Sequence, residues 1–423
     1  MLKKLSVSGF RSLRDFQLDI MPGLNVLVGP NGAGKTNIIL FFEFMRAISS
    51  GPLEDAVAKV GGVSQVFAKI GANQFNGQLS SVMTGEAKVD GREYEYKYEF
   101  AIEFDPANQS VYFVNQDLDV KRKTRTSVER YFSMSFGPKG IKVDASKAAD
   151  KQLTWFVKES KAMGSFNFFR DHVVTFFLRH SDRAVSAVSE DFSGRFALNV
   201  VPSNVKKLED SSRRPGIGAD GSGLAATLYA IKRGKSFFDD VGYSSTSPRI
   251  TPPWESVVKL IQIAVPSIKA IEVVNDPFEN TLKCKFTIGE GKGASVQPIS
   301  SLSDGTVKWI SLVLRLSTSK AALLLEEPEN YLHPLMQREI VRLLRDSISQ
   351  DGFVIVSTHS ETLLNAVDVS EIVIVKYSGD STRAFRVSNQ DDVRTEVNET
   401  GFGLGYYYLA EALEDGSESS VLG

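Results

Sequence analysis

The sequence predicts an α/β fold: a mixed, mostly parallel sheet joined to an antiparallel β-subdomain and an inserted α/β region. Three observations predict it. A short apolar run at 24–28 enters a glycine-rich turn and leaves it as an apolar helix at 36–45. Two more apolar runs, at 321–325 and 353–357, each end in polar residues. Such runs suit parallel strands buried on both faces. Between them, Tyr94, Tyr96, Tyr98, Phe100, Ile102 and Phe104 alternate with Glu93, Glu95, Lys97, Glu99, Ala101 and Glu103. Period two of this kind marks an antiparallel strand with one buried and one charged face, so the aromatic stripe reads as core rather than a base-stacking platform.

The glycine-rich turn is Gly29-Pro-Asn31-Gly32-Ala33-Gly34-Lys35-Thr36, which fits GxxxxGK[ST] between a strand and a helix. Gly29, Gly32 and Gly34 let backbone N–H groups approach phosphates with no Cβ in the way. The helix start adds partial positive charge at the same place. Lys35 supplies a full charge to the terminal phosphates of a nucleotide, and the Thr36 hydroxyl is a Mg²⁺ ligand.

The strand at 321–325 ends in Glu326-Glu327-Pro328-Glu329. Successive residues of a strand face opposite ways, so two adjacent carboxylates can take different tasks. One holds Mg²⁺; the next orients or deprotonates the attacking water. The strand at 353–357 ends in Thr358-His359-Ser360. His359, at the tip of a buried strand, is placed to reach a γ-phosphate or that water. The other histidines, His172, His180 and His333, read as structural, and no pair has metal-ligand spacing. Ser303, in Leu302-Ser-Asp304-Gly305-Thr306, precedes an apolar helix and reads first as an N-cap. A hydroxyl and free N–H groups at a helix start also bind an anion.

Together, Gly29 to Asn37, Leu302 to Thr306, Leu325-Glu-Glu-Pro-Glu-Asn-Tyr-Leu-His-Pro334 and Ser357 to Ser360 resemble the ABC-type ATPase heads of the RecF, SMC and OLD proteins. They resemble more closely the bacterial "AAA family ATPase" group with ABC-like heads, which is common in anti-phage defence. The opening Leu5-Ser-Val-Ser-Gly-Phe-Arg11-Ser12-Leu and the later Asp220-Gly-Ser-Gly-Leu-Ala-Ala-Thr-Leu228 extend the likeness over most of the chain.

The resemblance implies an ABC-type P-loop NTPase head that uses ATP and Mg²⁺. Arg11, Asn31, Gly32, Ala33, Gly34, Lys35, Thr36 and Asn37 would contact the nucleotide. Thr36 and Glu326 would hold the metal, and Glu327, His359 and Lys35 would be catalytic. Ser303, Asp304 and Gly305 would act in trans, on ATP bound to a second copy. ATP then joins heads into a homodimer or higher oligomer, and hydrolysis releases them. Glu326 stands where the wider family has Asp, as in OLD-like heads, and Asp304 replaces the transporter-type glycine. The coupling glutamine is one of Gln65, Gln74 and Gln78.

Composition is compatible with this. The chain has 423 residues, 42% hydrophobic, with a net charge of −2, so it carries no global basic signature for nucleic acid. One cysteine excludes an internal disulfide framework and suits a reducing cytosol. No signal pattern and no run of about 18 apolar residues is present, so a membrane span is not expected. The expected organisation is a split head at 1–50 plus 295–400, an antiparallel β-subdomain at 51–118, an inserted subdomain at 119–294, and a C-terminal helix and low-complexity tail at 401–423. The basic cluster at 121–125 reads either as a solvated strand or as a contact to a phosphate backbone.

Three functions follow. The first is an ATP-dependent cytoplasmic switch that controls a separately encoded effector, a nuclease or toxin, in anti-phage defence. Only about 60 residues follow His359, short for a fused nuclease domain. The second is a RecF-like DNA clamp of repair, using residues 121–125, Lys206-Lys207 and Arg213-Arg214. The third is a scaffold that binds ATP without turnover, which the intact Lys35, Glu327 and His359 disfavour.

Overall fold

Strand alternation divides the interior into two cores separated by one sheet. The computed structural model describes residues 1–413 except 72–73, 147–148, 150–152, 154–167, 176–181, 195, 236–250, 319–322 and 349–351. A six-stranded sheet runs in the order Phe196–Leu198, Leu323–Glu326, Phe353–Ser357, Gly23–Val28, Ile372–Ser378, Ser381–Arg386. The first five strands are parallel and the last pairs antiparallel. Leu27, Leu324, Phe353, Ile355, Val373 and Val375 point into one core, with the phosphate-loop helix Lys35–Ile48. Val26, Val28, Leu323, Leu325, Val354, Val356, Ile372 and Ile374 point into the other, with the helix Asp304–Thr318. Burial on both faces explains why these strands lack alternation. Each fully buried branched or aromatic side chain stabilises by about 1.5–3 kcal/mol.

The first core is closed by a seven-stranded antiparallel sheet, in the order Gly140–Ala145, Val128–Gly137, Ser110–Lys123, Arg92–Asp105, Gln78–Val89, Leu2–Ser8, Phe16–Asp19. Tyr94, Tyr96, Tyr98, Phe100 and Ile102 are buried in it, as their spacing requires. Two boundaries differ from expectation. The strand Ser110–Lys123 crosses residue 118 unbroken, because its pairing with Arg92–Asp105 runs from Ser110 to Lys123. The antiparallel unit therefore continues to Ala145, and it takes its last two strands from the N-terminal segment assigned to the head. Conversely, Phe196–Leu198, from the inserted region, joins the parallel sheet beside the acid-bearing strand.

The basic cluster lies on this antiparallel sheet among acids. Lys123 Nζ lies 2.8 Å from Glu86 and 2.9 Å from Glu95, and Lys121 lies 3.4 Å from Asp119. Lys123 thus pairs across the sheet and Lys121 along its own strand, which favours the solvated-strand reading. His180, Ala321, Ala322 and the tail at 415–420 lie outside the described residues. No helix is long and apolar enough to cross a membrane among the described residues.

A third sheet, built on Ile268–Asp276 and Thr281–Ile288, packs in the second core. Its Cys284 is 3% exposed, and burial pushes the thiol up to about 12. The native protein is therefore expected to resist a thiol reagent at about pH 8, taking up one equivalent only when unfolded. Rapid labelling of the native chain would place Cys284 at the surface instead.

Candidate functional site

Parallel strands carry their loops at one edge, and here the phosphate loop, the acid pair and the histidine share that edge. The histidine strand pairs with the acid strand on one side and the phosphate-loop strand on the other. Gly34 has φ 103°, and a Cβ there would meet the Thr382 hydroxyl at 2.0 Å, so only glycine fits. Lys35 is 6% exposed; its Nζ donates to the carbonyls of Gly29 at 2.7 Å and Pro30 at 3.1 Å. Burial lowers its pKa, and the nearby Glu327, Glu326 and Glu329 oppose that shift.

The underside of the loop is held by a relay absent from the motif. Asn37 Nδ2 donates to Ser12 Oγ at 2.7 Å, and Ser12 Oγ lies 2.7 Å from Thr382 Oγ1. Thr382 Oγ1 donates to the Ala33 carbonyl at 3.0 Å. Asn37 therefore braces the loop, with Ser12 and Thr382 as members that no local pattern singles out. Asn31 and Gly32 are exposed at its rim. Arg11, at φ 48°, donates through Nη2 to the Val60 carbonyl at 3.1 Å. It makes no hydrogen bond to the phosphate loop among the described residues. Gln65, Gln74 and Gln78 are all exposed, and none bonds to Thr36 or Glu326.

Thr36 Oγ1 donates to Glu326 Oε1. A hydroxyl and a carboxylate converging at the helix start form a hard-oxygen pair suited to Mg²⁺, which keeps several ligands from phosphate and water. Glu327 follows at φ 42°, a left-handed conformation that costs a non-glycine residue about 1–3 kcal/mol. Its N–H donates to the Ser357 carbonyl at 3.0 Å, and its Oε2 accepts from Asn330 Nδ2 at 2.8 Å. Its Oε1 is 3.5 Å from His359 Nε2, with both side chains about a third exposed. The turn thus separates the two acids, aiming Glu326 at Thr36 and Glu327 at His359.

Glu329 was not distinguished from the acidic run by sequence, yet it holds the histidine. It is 9% exposed, and its Oε1 accepts from Thr358 Oγ1 at 2.6 Å and the His359 N–H at 2.9 Å. His333 is the structural residue its setting suggested: it caps the helix Pro334–Ser347, its Nδ1 accepting from Leu335 N–H at 3.3 Å. The C-terminal helix Leu404–Leu409 also approaches. Gly405 N–H donates to Asn365 Oδ1 at 2.7 Å, and a Cβ on Gly405 would strike Glu361. The Tyr408 phenol is pushed up by burial and meets the Gly29 backbone, which opposes the rise.

Ser303 and Asp304 are exposed. Ser303 Oγ accepts from Thr306 N–H at 3.2 Å, the N-cap of its reading, and Asp304 pairs with Lys206 at 2.6 Å. Gly305 is buried against the Tyr331 carbonyl, 2.4 Å from where a Cβ would lie. No hydrogen bond or ion pair joins residues 303–306 to the phosphate loop among the described residues.

The protein family described as "AAA domain, putative AbiEii toxin, Type IV TA system" matches residues 24–365. The chain is 41% identical over 49 residues to the DNA replication and repair protein RecF of Renibacterium salmoninarum, covering 12% of either protein. It is 26% identical over 213 residues to the chromosome partition protein Smc of Coxiella burnetii, covering 45% of this chain and 17% of that one. Only a small share of either relative's length is thus spanned. A crystal structure of an Smc head bound to the C-winged helix domain of ScpA superposes with a TM-score of 0.51 at 14% identity, over 90% of this chain and 97% of that one, a likeness of fold.

Proposed function

The chain belongs to this AAA-domain family and is built as an ABC-type ATPase head of the RecF and SMC class; from that premise we propose a Mg-ATP-dependent switch that closes on a second copy of itself. One observation carries the reading. Lys35, Thr36, Glu326, Glu327 and His359 gather at one sheet edge, while the exposed Ser303 cap makes no bond to the phosphate loop of its own chain. A cap with free N–H groups is an anion site. Supplied by a partner, Ser303, Asp304 and Gly305 would cover the γ-phosphate.

In this reading the loop N–H groups and Lys35 bind the β- and γ-phosphates, with Asn31, Gly32, Ala33, Gly34 and Asn37 shaping the cradle. Thr36 and Glu326 would hold Mg²⁺, which neutralises charge on the phosphates. Glu327 orients the attacking water and accepts its proton, and His359, fixed by Glu329, faces the same oxygen. Arg11 would reach the nucleotide by releasing Val60. Closing needs only tighter ATP binding in the closed state than in the open one.

The family's description names a putative toxin of a toxin–antitoxin system; beside it we propose that this chain is a cytoplasmic switch controlling a separate effector, a nuclease or toxin, in anti-phage defence. A RecF-like clamp has one observation in its favour: Lys207, Arg213 and Arg214 are exposed in the segment that also pairs with Asp304 through Lys206. A DNA affinity falling steeply with salt would support that reading.

The test is light-scattering mass with and without Mg-ATP, beside ATP turnover. Ser303→Arg is expected to bind ATP normally, gain no mass with it, and lose about a hundredfold in turnover. ATP-driven assembly of Ser303→Arg at native level would remove the trans role, and absent turnover in the native chain would remove the switch.

A further inference from the structure

Lys308 lies one turn inside the helix Asp304–Thr318 and is 2% exposed. A buried ammonium is costly unless its protons find acceptors and its charge an opposing field. Its Nζ donates to the backbone carbonyl of Glu327 at 3.1 Å and stands 5.8 Å from the centroid of the Tyr331 ring. Burial lowers its pKa to about 8, against the opposing pull of Glu329 and Glu327. A neutral leucine at this place would avoid the cost of burial, and none of the roles assigned above employs the charge.

The geometry around it is a junction. Gly305 brings the start of the same helix against the Tyr331 backbone, with no room for a Cβ. Both ends of the acid loop, Glu327 at φ 42° and Tyr331 at φ 69°, hold left-handed conformations that side chains disfavour. Lys308 bonds the first and lies under the second. The loop that presents Glu327 is thus fastened to the helix that carries Ser303.

We infer that Lys308 is a positioning residue: its side chain pins the left-handed Glu327 backbone, and so ties the helix reading a partner's nucleotide to the acid serving its own. This rests on the ATPase reading above. Movement of the helix start on closure passes to the Glu327 carbonyl through this bond and the Gly305 contact. The carboxylate is aimed only while both hold.

The experiment uses Lys308→Met in the full chain, alone and combined with Glu327→Gln. The readouts are kcat and KM for ATP, and light-scattering mass with Mg-ATP. Lys308→Met is expected to lose about tenfold or more in kcat with KM within about threefold, because binding is untouched while the acid is misaimed. The double variant is expected to assemble with Mg-ATP as Glu327→Gln does. Unchanged kcat in Lys308→Met overturns the proposal. So does loss of assembly in the double variant, the mark of a core residue that merely holds the helix. Should the methionine variant fail to fold, Lys308→Gln carries the same comparison. Absent turnover in the unmutated chain removes the ATPase reading and this proposal with it; normal native turnover with an unaffected Lys308→Met removes this proposal alone.

Discussion

Glu327→Gln protein is expected to bind Mg-ATP, lose turnover by about 10²–10⁴-fold, and accumulate as an ATP-held assembly. The amide keeps the length of the side chain and can still accept from Asn330 Nδ2, now 2.8 Å from Oε2. What it lacks is the negative charge beside His359 and the capacity to take a proton from water. Lys35 and the phosphate loop are untouched, so nucleotide affinity is expected to stay within a few-fold of native. The side chain is 38% exposed, so the fold is expected to lose little. Light-scattering mass in Mg-ATP, followed over hours, reads the trapped state. Turnover that survives the substitution would show that Glu327 is not the base. The two remaining carboxylates would then have to be tested, although Glu329 is already engaged by Thr358 and His359.

Lys35→Ala is expected to abolish measurable ATP binding, and with it both turnover and assembly. The ammonium is held by the Gly29 and Pro30 carbonyls, where in the proposed reading it would meet the incoming phosphates. Each charge-assisted hydrogen bond that the ammonium would make to a phosphate is worth about 1.5–3 kcal/mol, so losing two such bonds weakens binding by roughly two to four orders of magnitude. Calorimetric titration with Mg-ATP reads the loss. Thermal unfolding without nucleotide is the control, since the alanine remains on a helix packed into the first core. Near-native affinity would show that the loop N–H groups alone suffice. The contrast with Glu327→Gln is informative: one variant is empty and monomeric, the other full and closed.

Legibility followed distance along the chain. The phosphate loop is eight consecutive residues whose glycines are required by local backbone geometry, so the pattern carried the structure. The same holds for the acid pair and the histidine, each at the tip of a self-evident buried strand. The stripe from Tyr94 to Ile102 announced its buried face because one strand suffices to show alternation. Other features had no such local sign. Ser12 and Thr382, 370 positions apart, meet under the phosphate loop. Glu329 looked like one more charge in an acidic run until the fold buried it beneath Thr358. Lys308 carries no local sign of its place, which is set only by the packing of its helix against the acid loop. Residue 118 falls inside a strand whose pairing runs on to Lys123, and Lys123 reaches acids on two other strands, contacts that no local pattern shows. The helix Gln390–Thr400 was not anticipated, being polar along most of its length with a single buried side chain, Val393.

Residue order alone singled out the candidate site residues, since phosphate loops, strand-end acids and caps are built from backbone conformations only a few residues long. It also settled that the core is a parallel sheet, through apolar runs that lack alternation. Tertiary structure decided the rest: which strands are neighbours, that Glu326 faces Thr36 while Glu327 faces His359, and that the Ser303 cap stands apart from its own phosphate loop. It also decided that a buried lysine joins that cap's helix to the acid. These depend on strand order and helix packing between segments hundreds of residues apart, whose mutual placement is set by burial of two whole cores rather than by any local pattern.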